Sequence, residues 1–182
     1  AMVASFQTSG NKEDGTPKAI LAGSVREFVE FEYRNNVLCV KDEATLRELG
    51  NVGAGQTYKK AVFTADVDMA GKSWTPIDNE EHFVLDGCGY KITGLAAPLF
   101  GHAKVSIDNL HLENVNIAVT NYWELGALVC HLTDSVYGVN NCSVSGSITA
   151  NFASGIVKPA DGDNIMVAGV VGRCHSDVNA YN

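Results

Sequence analysis

Between Val105 and Ile117 the apolar residues fall in pairs: Val105 with Ile107, Leu110 with Leu112, and Val115 with Ile117. Members of a pair stand two residues apart, and each pair begins five residues after the last. Alternate residues of a strand share one face, so each pair predicts a very short strand turned inward. Asp108-Asn109 and Glu113-Asn114 between them are predicted corners, because asparagine tolerates left-handed backbone and hydrogen-bonds locally. Neither a helix nor a meander of long alternating strands produces this period.

The same texture recurs further on. Leu99-Phe100-Gly101-His102 aligns with Leu128-Val129-Cys130-His131 and with Val170-Val171-Gly172-Arg173. Ile107 to Leu112 aligns with Val139 to Val144 at an offset of 32 (139 − 107). With Phe100, Val129 and Val171 equivalent, the spacings are 29 (129 − 100) and 42 (171 − 129). Copies that differ by insertions are expected of a solenoid whose loops vary on a regular coil. Asn109, Asn141 and Asn182 then share a register, and their amides are expected to stack as a ladder at a buried corner. The third copy ends at Asn182, which predicts an open strand edge there, and so a longer natural chain or a partner covering that end.

Residues 3 to 19 are polar and contain glycine, and they read as a flexible leader. Val25 to Tyr33 and Val37 to Val40 are β-prone runs around Arg34-Asn35-Asn36, a predicted hairpin turn. Asp42 is a predicted N-cap for a helix over 43–49, ending near Gly50 and Gly53, with Leu46 and Leu49 on one apolar face suited to covering an open end. The predicted division is residues 1–36, leader and strand segment, and residues 37–182, the coiled part.

Composition narrows the partners. The chain has 182 residues, 46% of them hydrophobic, and 13 basic against 21 acidic residues, for a net charge of -8. That charge repels phosphate backbones and anionic lipid, so nucleic acid is not expected. No apolar run approaches the roughly 18 residues of a spanning helix, and membrane insertion is not expected either. Cys39, Cys88, Cys130, Cys142 and Cys174 form no CxxC pair and are odd in number; most sit among apolar or small residues and read as core hydrophobes.

Three ordered stretches carry a family resemblance: Val62-Phe63-Thr64-Ala65-Asp66-Val67-Asp68-Met69, then Trp74-Thr75-Pro76-Ile77, then Phe83-Val84-Leu85-Asp86-Gly87-Cys88-Gly89-Tyr90-Lys91-Ile92. With Leu99-Phe100-Gly101, Gly126-Ala127-Leu128-Val129 and Ala168-Gly169-Val170-Val171-Gly172, they resemble bacterial surface and secreted β-helix proteins with GLUG-type repeats, on the pectate-lyase-like superfold. Asp78 departs from the family pattern where glycine often follows W-x-P-I, and Cys130 replaces the glycine of the second unit. The resemblance implies an all-β chain: a right-handed parallel β-helix with a short N-terminal capping helix and an antiparallel N-terminal segment. It further implies a non-enzymatic, adhesin-like module, secreted or at the cell surface, contacting an extracellular glycan or a host or cell-surface protein. The alternatives are a carbohydrate-active enzyme, lyase or glycosidase, and a purely structural spacer.

Candidate chemistry is sparse. Tyr122, Trp123 and Glu124 lie in an insertion where two adjacent aromatics cannot both face a core, so at least one ring is expected to be exposed and suited to stacking on sugar. The alternative is a loop folding one ring over the coil. His102, His131 and Arg173 occupy equivalent positions and are expected to stack as a basic column, either receiving an anionic sugar or carboxylate or simply solvated. Asp66 and Asp68 share a strand face, as an acid pair or calcium site would require, or else they bind loop backbone. Trp74 reads as core. Asp161-Gly162-Asp163-Asn164 reads as a solvated turn. Asn141-Cys142-Ser143 fits the glycosylation pattern, but Asn141 is the predicted inward ladder residue. No HxxxH pair suggests zinc, and no catalytic residue, metal or cofactor is predicted.

Overall fold

In a computed structural model of the chain, the residues described are 3–11 and 17–22, in backbone only, together with 36–133, 138–153 and 165–174. Among the described residues the fold is all-β, with one short α-helix. Strands β1 (Val3–Asn11) and β2 (Pro17–Ala22) pair antiparallel. This corrects the leader expected over residues 3 to 19: a ladder of backbone bonds forms there without the apolar alternation that would announce it.

Every other pairing of named strands is parallel. One sheet runs β15 (Val171–Cys174), β11 (Val129–Leu132), β8 (Phe100–Asp108), β6 (Ile77–Asp86), β4 (Lys60–Phe63) and β3 (Val37–Val40), with β12 (Val139–Asn140) also on β8. A second runs β13 (Ser143–Asn151), β9 (His111–Thr120), β7 (Lys91–Thr93) and β5 (Val67–Asp68), and a third joins β10 (Glu124–Gly126) to β14 (Met166–Ala168). From β4 to β9 the chain steps alternately between the first and second sheets. Val37–Val40 is therefore a parallel neighbour of β4, and the partner expected for it, Val25 to Tyr33, lies outside the described residues.

The repeat alignment is the hydrogen-bond register. Val129 pairs with Phe100 and with Val171, His131 with His102 and Arg173, and Val139 with Ile107. All six paired apolar residues from Val105 to Ile117 are buried. They do not form separate short strands, however: β9 runs ten residues through a kink at Asn114. Asn109, Asn114, Asn121 and Asn141 take positive φ of 56°, 53°, 63° and 48°, as corner asparagines should. The side chain of Asn141 donates to Asn109 Oδ1 at 2.7 Å, and that of Asn109 donates to Asp86 Oδ1 at 3.1 Å. The ladder thus forms with Asp86 as its acceptor end, but on the outside, since Asn141 is exposed. Side chains at a corner can reach one another there without losing water, so no burial is required. Asn182 lies outside the described residues.

Helix α1 (Glu43–Arg47) continues as a 3-10 turn, Glu48–Asn51. Thr45 N–H donates to Asp42 Oδ1 at 2.9 Å and Asp42 N–H to Thr45 Oγ1 at 3.1 Å, closing a capping box. Leu46 and Leu49 are completely buried in the same core as Phe63 and Phe83. Beyond the turn, buried Asn79 donates to the carbonyls of Leu49 (3.3 Å) and Val52 (3.0 Å), supplying the partners that helix-end carbonyls lack. Trp74 is buried as expected, its Nε1–H directed at the carbonyls of Pro98 (3.0 Å) and Leu99 (3.2 Å).

Candidate functional site

Tyr122, Trp123 and Glu124 of the insertion and His102 of the basic column, singled out separately in the sequence, meet in one cleft. It has a volume of about 570 Å³ and is lined by Asp78, His102, Asn121, Tyr122, Trp123 and Glu124, among others. The column that His102 belongs to is built by register. Parallel pairing sets His102 of β8 beside His131 of β11, with ring centroids 5.0 Å apart and tilted by 58°. That distance is close to the spacing of neighbouring strands, about 4.8 Å. Arg173 of β15 follows on the other side of His131.

This column does not present an open anion site, because the chain supplies the anion itself. Glu124, at the start of β10, places Oε1 2.6 Å from Arg173 Nη1 and Oε2 3.0 Å from His131 Nδ1. The side chains of Glu124 and His131 are each only 16% exposed, which shields the pair from solvent and salt. The column stacks in the order expected, with Glu124 on His131 and Arg173 while His102 stays exposed.

The wall comes from the insertion. Trp123 is half-buried, its ring 5.7 Å from that of Phe152, while Tyr122 is 37% exposed. One ring of the pair therefore folds over and the other meets solvent. Asn121 fixes the turn: its positive φ reverses the chain, and its Oδ1 accepts from Ala153 N–H at 3.2 Å. On the opposite side Asp78 of β6 accepts from the backbone N–H of His102 at 2.8 Å. A Cβ on Gly101 would lie 2.2 Å from that carboxylate oxygen, so a side chain there would push Asp78 aside. Sequence reading did not place Asp78 in the cleft, though its departure from the W-x-P-I pattern was the available signal.

The acidic candidates, Asp68 on β5 and Asp66 just before it, are structural. Asp66 accepts from Lys91 N–H (3.1 Å), and Asp68 accepts from Ala70 N–H (2.9 Å) and Thr93 Oγ1–H (3.1 Å). These bonds hold the Asp68 carboxyl below its ordinary range, the Ala70 amide contributing most and the Thr93 hydroxyl next. The cap bonds from Thr45 do the same for Asp42, and Arg47 followed by Lys72 does so for Glu43. All three groups bind protons less readily folded than unfolded. Their stabilisation is complete above the unfolded carboxylate range, near pH 4, and is lost as pH falls through the lowered folded values. The melting temperature is expected to hold from pH 7 to about 5 and to drop below about 4. Asp68→Asn, which keeps an acceptor for Ala70, is expected to flatten that drop; an identical acid limb in a pH series of thermal melts would refute the assignment.

Cys130, Cys142 and Cys174 are free thiols, and burial pushes Cys130 and Cys142 up from the ordinary thiol value. Asp161 to Asn164 lies outside the described residues. No helix among the described residues is long and apolar enough to cross a membrane.

No family model matches the chain, and no curated protein matches it. Among solved structures it is similar to the crystal structure of a putative immunoglobulin A1 protease from Bacteroides ovatus, with 16% sequence identity and a TM-score of 0.54. The match covers 79% of this chain and 56% of that one, so the chain corresponds to little more than half of that protein and the likeness is one of fold.

Proposed function

We propose that the chain is a right-handed parallel β-helix module of a secreted or cell-surface protein, non-enzymatic and adhesin-like, whose cleft binds carbohydrate. The solenoid reading is supported by strands that pair in parallel with their equivalents one copy away. The observation that carries the function is the exposed Tyr122 beside Trp123, in one cleft with Asp78, Asn121 and Glu124. An aromatic face takes the apolar face of a sugar ring, and carboxylate and amide oxygens beside it take the hydroxyls. The cleft's volume falls within the range of small-ligand sites. The extracellular glycan or the glycosylated host or cell-surface protein is the expected partner.

A glycan array probed with the wild type, Tyr122→Ala and Trp123→Ala tests this. Binding by the wild type that weakens at least about tenfold in both variants, roughly 1.4 kcal/mol or more, supports recognition. An array blank for the wild type leaves the spacer role in its place.

A second reading, a carbohydrate-active enzyme, is favoured by the two carboxylates Asp78 and Glu124 lining the same cleft. Glycoside cleavage calls for one protonated acid and one free base or nucleophile. Here Asp78 is bonded to a backbone amide and Glu124 to Arg173 and His131, which favours binding over turnover. Release of reducing ends from any bound glycan would reverse that preference.

A further inference from the structure

We propose that His102, His131 and Glu124 form a binding site for a divalent transition metal, zinc by the character of the donors. One ligand atom from each lies within 4.8 Å of the other two. Tetrahedral zinc with bonds of about 2.0–2.1 Å holds its donors about 3.3 Å apart, and the His131–Glu124 pair already stands at 3.0 Å. His102 is exposed, so its ring can turn the remaining distance without displacing packed neighbours. Two imidazoles and one carboxylate are the ligand set of open zinc sites, which leave a fourth position for water or ligand.

The three donors come from different strands, and each is held independently. Parallel register fixes the two histidines side by side on β8 and β11, and the pairing of β10 with β14 fixes Glu124. Arg173 grips Glu124 Oε1 and leaves Oε2 toward His131. An outer partner on a ligating carboxylate orients it in this way in metal sites generally. His102 and Glu124 also line the cleft, so the open coordination position is accessible from there. Cys130 lines the cleft too, but its Sγ–H is directed at the carbonyl of Gly126 at 3.8 Å, and its sulfur is not among the ligand atoms that lie within 4.8 Å of one another.

The site can be tested with the metal alone, whether or not the cleft takes sugar. The untagged full chain, reduced and stripped with chelator, is titrated with Zn2+ by calorimetry and with Co2+ by absorption near pH 7.5. The expected result is one metal per chain, visible Co2+ d–d bands and no thiolate charge-transfer band. His102→Ala and His131→Ala are each expected to weaken binding by at least about tenfold. His111→Ala, which removes a half-buried histidine of β9 bonded to Ser143 of β13 in the second sheet, is expected to leave it unchanged. Zinc should raise the melting temperature of the wild type and of His111→Ala but not of the double variant carrying both His102→Ala and His131→Ala, whose folding is checked by circular dichroism. Binding should also weaken on acidification, because only neutral imidazole ligates. Unaltered binding in the folded double variant, a thiolate band, or no binding at micromolar metal would overturn the proposal.

Discussion

Phe100→Ala is expected to destabilise the chain by about 3–5 kcal/mol, as removal of a buried phenylalanine ring does. Phe100 is completely buried and lies on the line where copies meet, paired with Ile77 on one side and Val129 on the other. Its ring packs against Phe83, with centroids 6.0 Å apart. The void would open between two layers of side chains, and the backbone bonds joining β6, β8 and β11 hold those layers too firmly to collapse into it. Domains of this size are stable by only about 5–15 kcal/mol, so the loss is a large share of the total. Denaturant unfolding of the variant beside Tyr122→Ala, which loses an exposed ring, measures it. A loss under about 1 kcal/mol would mean that Phe100 does not occupy the core position assigned to it.

Gly87→Ala is the second large effect and acts by the opposite route. An added Cβ would stand 2.4 Å from the carbonyl oxygen of Asn109 and 2.5 Å from the Cα of Leu110. Both are backbone atoms of the next copy, and neither can rotate away. The same two copies are tied there by Gly87 N–H to Asp108 O at 2.7 Å and Gly89 N–H to Asn109 O at 2.8 Å. Relief requires breaking those bonds, which puts the cost at the upper end of overpacking, about 3 kcal/mol or more. Gly71→Ala is the comparison: its φ of 71° strains any side chain, but no atom lies within 4 Å of the new Cβ. It is expected to cost about 1–2 kcal/mol. Equal losses in the two variants would show that close approach between copies is not what Gly87 provides.

What the sequence made legible is what repeats. The equivalence of Phe100, Val129 and Val171 and of His102, His131 and Arg173 could be read by alignment, because stacked copies must present matching residues in register. The asparagine corners were legible for a related reason: few residues tolerate positive φ. The position of Glu124 was not. It reaches the histidine column from an insertion, and an insertion has no equivalent in the neighbouring copy to align with. The metal site is hidden for the same reason, since its third ligand, Glu124, joins the two aligned histidines from that insertion. The antiparallel pair β1–β2 was missed because its sequence lacks apolar alternation. Burial of the ladder was expected and not found, because the apolar pairs locate the inside of a strand but not how far a corner stands out from it.

The parallel register also governs how the chain must assemble. Residues that bond across neighbouring copies, such as Asn109 with Asp86 and Asn141 with Asn109, are separated by 23 and 32 positions. No tight turn can bring such partners together, so each layer requires closure of a wide loop before its first bond forms. Assembly is accordingly slow and sequential, each completed layer serving as the template for the next.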